Sequence, residues 1–176
     1  MTVTDLFGAS DVRRAMGSHQ SHGGGTDEWL TPPSLIDKLG PFDLDPCSPI
    51  NRPWPTANGH YTLADDGLRR PWRGFVWLNP PYAQADKWMA RLAEHGDGIA
   101  LLFARTETAL WHTHIWPRTT GVLFLKGRLH FHLPDGTRAK ANAGAPSALI
   151  AYGRRAAHTL TRSDLAGAFV TTKEDK

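Results

Sequence analysis

Cysteine and long hydrophobic runs are the scarcest features of this sequence. The 176 residues contain one cysteine, Cys47, which excludes a disulfide framework and any zinc site built from cysteines alone. No segment approaches the roughly 18 consecutive apolar residues of a membrane span. Residues 1–20 lack the apolar stretch of a signal peptide. We therefore expect a cytoplasmic protein with no membrane partner.

Acidic residues are scarce in one part of the chain. Residues 118–162 carry eight lysines and arginines and a single acid, Asp135, whereas residues 1–50 carry three basic and seven acidic residues. Such a basic segment is typical of a surface that binds a polyanion, and a solvated basic face is the equally frequent alternative. The sequence also holds seven tryptophans, which serve in cores and as stacking surfaces for bases.

The length of the chain, with 40% hydrophobic residues, indicates one globular domain. The polar run at residues 18–25, which ends in three glycines, offers no apolar face for packing. We therefore expect a flexible N-terminal arm over residues 1–25, a single domain over residues 26–160, and a C-terminal tail over residues 161–176.

Short apolar runs alternate with amphipathic stretches along the domain. We expect strands at residues 42–45, 74–78, 98–103, 121–125 and 148–152, and helices at residues 32–39, 84–94 and 106–116. Thr31 is the expected N-cap of the first helix, and Gly40 ends it. Pro134-Asp135-Gly136 is typical of a hairpin turn between strands at residues 129–133 and 137–140. This pattern predicts an α/β fold, with a mostly parallel sheet, helices on its faces and a C-terminal hairpin.

The strongest chemical signal is the tetrapeptide Asn79-Pro80-Pro81-Tyr82, which directly follows the apolar run at residues 74–78. Open α/β sheets bind ligands beyond the carboxyl ends of their strands. Neither proline has an N–H, so the stretch presents carbonyl oxygens with few competing donors, and the Asn79 side chain adds another oxygen. These acceptors suit an –NH₂ group, and the Tyr82 ring offers a flat surface for a planar base. The alternative is a rigid turn without chemistry, which the position after a buried strand disfavours.

Such a site is suited to methyl transfer to the exocyclic amine of a nucleobase. The nitrogen of adenine N6 is a poor nucleophile because its lone pair is delocalised into the ring. Two acceptors that pull on its hydrogens favour a pyramidal nitrogen with a localised lone pair, which can attack an electrophilic methyl group without a strong base. A base inside a duplex cannot reach such a pocket, so the nucleotide must be flipped out.

The tetrapeptide is similar to the Asn/Asp-Pro-Pro-Tyr motif of amino-group methyltransferases, and the wider pattern resembles the phage-type, Dam-like family of DNA N6-adenine methyltransferases. The stretches that carry the resemblance are DEWLTPP (27–33), FDLDPC (42–47), WLNPPY (77–82), LLFART (101–106) and KGRLHF (126–131). With the last predicted strand they span about residues 27–152, which is most of the chain. The resemblance implies a reduced Rossmann-like fold, S-adenosylmethionine as cofactor, double-stranded DNA as partner and adenine N6 as target.

The resemblance also implies roles for individual residues. Asn79 and the Pro80 carbonyl would hold the target amine, Pro81 completes this catalytic motif, and Tyr82 would stack on the flipped adenine. Asp45 would face the methionine ammonium of the cofactor, and Asp65 or Asp66 its ribose hydroxyls. The implied cofactor-binding residues are Trp29, Thr31, Pro32, Asp45, Pro46, Cys47 and Asp65.

The sequence departs from the family pattern after the first predicted strand. A glycine-rich loop normally follows that strand, but residues 47–49, Cys-Ser-Pro, follow it here, and only about thirty residues separate Asp45 from Asn79. We therefore expect a sheet that is reduced on this side. Cytosine N4, RNA adenine, and a catalytically inactive DNA-binding relative are the alternatives to a DNA adenine methyltransferase.

Five basic residues are the expected DNA contacts, with phosphates as their ligands. They are Arg105, directly after a predicted strand, and Lys126, Arg128, Arg138 and Lys140 around the predicted hairpin. Histidines two residues apart, at 112/114 and 130/132, have no third ligand at a suitable spacing, so we expect no metal site. Because the sequence has no helix-turn-helix or zinc finger, we expect sequence specificity to come from residues 51–70 and 127–145.

Overall fold

The computed structural model describes residues 28–172. The expected N-terminal arm, residues 1–25, lies outside the described residues. Within residues 28–172, no helix is both long enough and apolar enough to cross a membrane. A seven-stranded sheet runs through this part of the chain, with helices on both of its faces.

The strands of the sheet follow the order β2-β1-β3-β4-β6-β5-β7. Their bounds are β1 Leu44–Asp45, β2 Gly59–His60, β3 Val76–Leu78, β4 Gly98–Phe103, β5 Gly121–Leu125, β6 Ser147–Tyr152 and β7 Gly167–Thr171. The strands β1 to β4 pair in parallel, β6 is antiparallel to β4 and β5, and β7 is antiparallel to β5. This mixed sheet, parallel in its first half, confirms the predicted α/β, Rossmann-like fold class.

The strand order reverses direction at β1. The chain passes from β1 to β2 on one side and then crosses to β3 on the other side of β1. Such a reversal opens a crevice at the carboxyl ends of the two strands, where α/β proteins bind their ligands. Between β1 and β3, the described chain forms only the two-residue β2 and one 3₁₀ turn, Leu63–Asp65. The sheet is therefore reduced on this side, as the sequence predicts.

Helices cover both faces of the sheet. The helix α2 (Ala85–His95) lies on one face, and α1 (Pro33–Leu39) and α3 (Arg154–Arg162) lie on the other. In β3, Val76 and Leu78 join the core on the α2 side, whereas Trp77 joins the core on the α1 side. Strands that are buried on both faces read as continuous apolar runs. For this reason the sequence predicts β3, β4, β5 and β6 to within two residues at each end.

Two neighbouring prolines set the start of α1. The sequence predicts Thr31 as the N-cap, which is wrong, because Pro32 occupies that position with a ψ of 131° and without a side-chain cap. A residue that precedes a proline is pushed out of the helical region, so Pro32, followed by Pro33, cannot be helical. The helix ends at Leu39 with Gly40 as its C-cap, as predicted.

The helix predicted at residues 106–116 is replaced by a shorter π-helical turn, Trp111–Ile115. Two indole N–H groups account for the difference. Trp111 donates to the carbonyl of Phe103 at 3.3 Å, and Trp116 donates to the carbonyl of Thr106 at 3.4 Å. These bonds hold the preceding residues as turns against the end of β4.

The predicted hairpin strands at residues 129–133 and 137–140 are absent from the described chain. The turn itself forms, since the Gly136 N–H donates to the Leu133 carbonyl at 2.8 Å. Its arms are joined by backbone hydrogen bonds from Leu133 to Thr137, from Ala139 to Phe131 and from Ala143 to Leu129, and by a bridge between His132 and Arg138, but no continuous strand pair forms there in the described chain. His132 also bridges to Leu30. Leu129 and Phe131 pack against the core on the α1 side. Residues 127–145 are therefore a loop that is tied to Leu30.

The end of the described chain belongs to the sheet. The sequence predicts a C-terminal tail over residues 161–176, but β7 lies within that range and pairs with β5 over five residues. The helix α3, which the sequence analysis did not predict, buries Ala156 and Leu160. In β7 only Phe169 is half-buried and the other four residues are exposed, so this strand contributes one side chain to the core.

Candidate active site

The structure brings Asp45 and Asn79 to one edge of the sheet. They stand at the carboxyl ends of β1 and β3, which are parallel neighbours. A hydrogen bond links the two strand ends, since the Cys47 thiol donates to the Asn79 carbonyl with 3.4 Å between Sγ and O. The Asn-Pro-Pro-Tyr stretch and the Asp-Pro-Cys stretch therefore meet at the carboxyl ends of β1 and β3.

The side chain of Asn79 is held in one orientation. Its amide nitrogen donates to the backbone carbonyl of Trp29 at 3.1 Å. Because a backbone carbonyl only accepts hydrogen bonds, the nitrogen must be the atom that faces Trp29. The side-chain oxygen is therefore directed away from Trp29, where it can accept a hydrogen bond from a ligand.

The two prolines connect β3 to α2 in a stiff corner. Pro80 is buried, and Pro81 is exposed. The Pro81 carbonyl accepts a hydrogen bond from the Gln84 N–H at 3.1 Å, which forms the 3₁₀ turn Tyr82–Gln84 just before α2. Prolines have fixed φ angles and no N–H, so the corner is rigid and its carbonyl groups meet few competing donors.

The ring of Tyr82 is supported by Phe103. The two ring centroids lie 4.8 Å apart at an interplanar angle of 24°. The Tyr82 hydroxyl accepts a hydrogen bond from the Phe103 N–H at 3.2 Å, and burial of this hydroxyl raises the pKa of Tyr82, which keeps it neutral. Tyr82 is still 45% exposed, so part of its ring surface is available to a planar ligand.

Asp45 is a buried carboxylate at the end of β1. It is 4% exposed, and its oxygens accept hydrogen bonds from the Cys47 N–H, at 3.1 Å, and from the Thr56 hydroxyl. Loss of hydration outweighs these bonds and raises the pKa of Asp45 to about 6. Each carboxylate oxygen has a further lone pair. A buried carboxylate with spare acceptor capacity is suited to a cationic ligand.

Residues 29–32 reach this site mainly through their backbone. The Trp29 carbonyl orients Asn79, and the buried Thr31 accepts a hydrogen bond at its carbonyl from the Trp54 indole at 3.2 Å. Pro32 is buried directly before α1. Leu30, which lies between Trp29 and Thr31, exchanges two backbone hydrogen bonds with His132, at 2.9 and 3.0 Å. The predicted cofactor-binding segment is thus fixed from two sides, while the Trp29 residue stays 44% exposed.

Asp65, the predicted ribose ligand, has a structural role in its own turn. Its carboxylate accepts hydrogen bonds from the Thr62 N–H and the Thr62 hydroxyl, both at 2.8 Å, in a capping box. These bonds lower the pKa of Asp65. The turn nevertheless lies close to the site. Gly67, which follows the turn, packs against the carbonyl of Pro46 so closely that a Cβ atom on Gly67 would collide with it.

All five predicted DNA contacts are exposed, and the side chains of all but Arg128 make no hydrogen bond within the described chain. Arg105 follows β4 and Lys126 follows β5. Both strands run in the direction of β3, so both residues emerge at the edge that carries Asn79. Arg138 and Lys140 are exposed in the loop tied to Leu30. The Arg128 guanidinium donates to the Ala143 carbonyl at 3.0 Å and holds the same loop closed.

Three residues of the site were missed by sequence reasoning. Thr56 binds Asp45, Trp54 binds the Thr31 carbonyl, and Phe103 supports Tyr82. The five prolines between residues 46 and 73 predict an irregular loop in this region. The one local signal was Trp54 itself, a large apolar residue between two prolines, Pro53 and Pro55. Among residues 28–172, no three or more His, Cys, Asp or Glu lie close enough together to hold a metal ion.

The model of the family described as DNA N-6-adenine-methyltransferase (Dam) matches residues 19–166 of this chain. The chain belongs to the Dam family. The matched residues include every one of the predicted site residues, and they cover most of the sheet. This membership confirms the resemblance drawn from the five sequence stretches.

A curated relative of this Dam family member comes from Escherichia phage T1 and is described as a DNA N-6-adenine-methyltransferase. The two are 26% identical over 112 residues, which is 58% of this chain and 46% of the phage protein. The match thus spans about half the length of that relative. No solved structure gives a significant match to this chain.

Proposed function

We propose that this protein transfers a methyl group from S-adenosylmethionine to the N6 amine of an adenine flipped out of double-stranded DNA. One observation carries the proposal. At the carboxyl end of β3, next to β1, an Asn79 amide fixed by the Trp29 carbonyl stands in a proline corner beside the half-exposed Tyr82. Membership of the Dam family supports the same chemistry.

Asn79 and Pro80 would act as hydrogen-bond acceptors for the target amine. The Asn79 side-chain oxygen is free to accept because its amide nitrogen is the group that binds Trp29. Together with the Pro80 carbonyl, it would bind the two hydrogens of N6 and localise the nitrogen lone pair. The backbone carbonyl of Asn79 is already occupied by the weak thiol donor of Cys47. No side chain needs to act as a strong base, and the proton lost from N6 would leave to water.

Tyr82 would hold the plane of the flipped base. Phe103 supports its ring by stacking and by the backbone hydrogen bond to its hydroxyl. A second planar group stacked on Tyr82 would therefore meet a surface that is already oriented. Stacking of a base on an aromatic side chain contributes about 1–3 kcal/mol, which would offset part of the cost of removing the adenine from the duplex.

The residues at the end of β1 fit S-adenosylmethionine. This cofactor is a cation that supplies an electrophilic methyl group on a sulfonium. Asp45 offers a buried carboxylate whose pKa is raised to about 6 by burial, so a bound cation would stabilise its ionised form. Thr56 and the Cys47 N–H would keep the carboxylate in place while it binds the ammonium of the cofactor.

Methyl transfer can be tested directly with tritiated S-adenosylmethionine and unmethylated duplex DNA. We expect label in N6-methyladenine for the wild type and for Lys87→Ala, an exposed residue on α2. Asn79→Ala should abolish transfer but keep cofactor binding, measured by calorimetry, because Asn79 acts on the amine. Label in N4-methylcytosine, or transfer only to RNA, would replace the adenine target, and a folded wild type without transfer would refute the proposal.

A further inference from the structure

Two segments that are about eighty residues apart in the sequence form one surface beside the active site. The crossover from β1 to β2 places Pro53 and Trp54 against Gly136, in the turn of the 127–145 loop, where a Cβ atom would lie 3.0 Å from the Pro53 side chain. The Trp54 ring also meets His132 edge-on, at 5.1 Å between centroids. A concavity of about 480 Å³ opens at this junction. We name it the crossover groove, and it is lined by Ile50, Asn51, Arg52, Pro53 and Pro134.

Hydrogen bonds connect the segment that forms the crossover groove to residues of the proposed active site. The Trp54 indole donates to the Thr31 carbonyl, two residues from the Trp29 carbonyl that orients Asn79. The Thr56 hydroxyl donates to the Asp45 carboxylate. A ligand in the groove would therefore lie at a fixed position relative to a base held by Asn79 and Tyr82.

The lining of the groove offers donors and acceptors of the kinds that read base edges. Among its five described lining residues only Arg52 is charged, and it is exposed, as is Asn51. The Arg52 guanidinium has five N–H donors, and one of them binds the Pro49 carbonyl at 3.1 Å. Its charge also acts on Asp45 and lowers the pKa of that carboxyl against the effect of burial.

We propose that the crossover groove reads base pairs next to the flipped adenine, and that Arg52 is the main residue that determines sequence specificity. This inference rests on the proposed methyltransferase function. An arginine can donate two parallel hydrogen bonds to guanine O6 and N7, and an asparagine can bind adenine N6 and N7. Ile50, which is 64% exposed, adds an apolar contact of the kind that thymine methyl groups accept. A groove with one cation among uncharged residues fits base edges better than a row of phosphates.

The test is to express the variants in a host that lacks adenine methylation and to sequence its DNA with detection of modified bases. The wild type should methylate a defined motif. Arg52→Ala should lose about ten- to hundredfold of its discrimination at one position next to the adenine. Arg52→Lys keeps the charge but not the two-pronged geometry, so it should relax the same position. Arg154→Ala removes an exposed arginine at the start of α3 and should leave the motif unchanged.

The outcomes separate this inference from the function on which it rests. A wild type that forms no N6-methyladenine contradicts the proposed function, and the inference falls with it. A wild type that methylates without a motif, or an Arg52→Ala variant that keeps the full motif, contradicts the inference alone. A uniform loss of methylation at all sites that Arg52→Lys restores would make Arg52 a phosphate contact and would also overturn it. Thermal unfolding of each purified variant confirms that it is folded.

Discussion

At the scale of single residues, the site depends on partners that come from distant parts of the chain. Asn79 is oriented by Trp29, fifty residues earlier, and Tyr82 is supported by Phe103, on the next strand. Asp45 depends on Thr56 in the following crossover. Each of these three residues thus has a second residue that fixes its side chain. Positioned groups of this kind lower the cost of reaching the reactive geometry.

We expect the Tyr82 ring to contact the flipped base, and the Tyr82 hydroxyl to hold the ring in place through its hydrogen bond with the Phe103 N–H. Tyr82→Ala should raise the KM for DNA about tenfold or more, since it removes a stacking contact of about 1–3 kcal/mol. Tyr82→Phe keeps the ring and loses only the bond to the Phe103 N–H, so its KM should change less than threefold. Steady-state kinetics on duplex DNA measures both. Equal KM values for the wild type and the alanine variant would contradict a stacking role.

The raised pKa of Asp45 predicts how cofactor affinity depends on pH. A bound cation favours the ionised carboxylate, so only the ionised form binds well. With a pKa of about 6, the ionised fraction rises about tenfold between pH 5 and pH 7, and the apparent affinity for S-adenosylmethionine should rise by the same factor. Over this range an α-ammonium group stays protonated.

Calorimetric titration at several pH values tests this prediction. Asp45→Asn should bind the cofactor more weakly than the wild type at pH 7 and should show no rise between pH 5 and pH 7. A wild-type affinity that stays flat over this range would contradict a direct contact between Asp45 and the cofactor cation.

At the scale of elements, the edge of the sheet is completed by a strand that the sequence does not reveal. Phe169 of β7 lies directly against Gly121 of β5, where a Cβ atom would collide with its ring. Phe169 also packs on the core that α1 and α3 cover. The strand therefore covers β5, which would otherwise be an open edge with unpaired backbone groups.

A pair of variants in β7 tests whether this strand stabilises the domain. Phe169→Ala should lower the free energy of unfolding by about 1–3 kcal/mol, less than the loss for a fully buried phenylalanine because Phe169 is only half-buried. Val170→Ala, at a neighbouring exposed position, should change it by less than about 1 kcal/mol. Urea unfolding measures both values. If residues 161–172 were a tail, the two variants would unfold alike.

At the scale of the whole molecule, basic residues that are close in the sequence lie at two opposite edges of the sheet. Lys126, Arg138 and Lys140 lie at the edge that carries the site or in the loop tied to it. Arg154 and Arg155 follow β6, whose last residue pairs with Gly98 at the start of β4, so they lie at the other edge. There Arg155 pairs with Asp43 and Asp97. A charge count along the sequence therefore overstates the surface available to DNA.

This sorting predicts which cations contribute to the salt dependence of DNA binding. For each phosphate contact that is lost, the slope of log affinity against log salt should become about 0.9 less steep. We expect this reduction for Lys126→Ala, Arg138→Ala and Lys140→Ala, and no change for Arg154→Ala. Fluorescence anisotropy with a labelled duplex between 50 and 200 mM salt gives the slopes. Equal slopes for all four variants would contradict a DNA surface at the site edge.

The sequence by itself determined the features that depend on local chemistry. Continuous apolar runs marked β3 to β6 because both faces of these strands are buried. The end of α1 at Gly40 was likewise readable. The tetrapeptide at residues 79–82 indicated its chemistry because prolines remove donors wherever they occur, and its neighbours carried the family resemblance that the match over residues 19–166 confirms.

Only the tertiary structure decided what depends on contacts between distant residues. No local pattern reveals that Trp29 fixes Asn79, that Thr56 binds Asp45, or that Pro53 meets Gly136 to form a groove. The pairing of β7 with β5, in which Phe169 is the one half-buried residue of β7, is likewise a contact between distant segments. Propensity and periodicity describe a segment by its own residues, whereas these features arise where the sheet brings separate segments within hydrogen-bond distance.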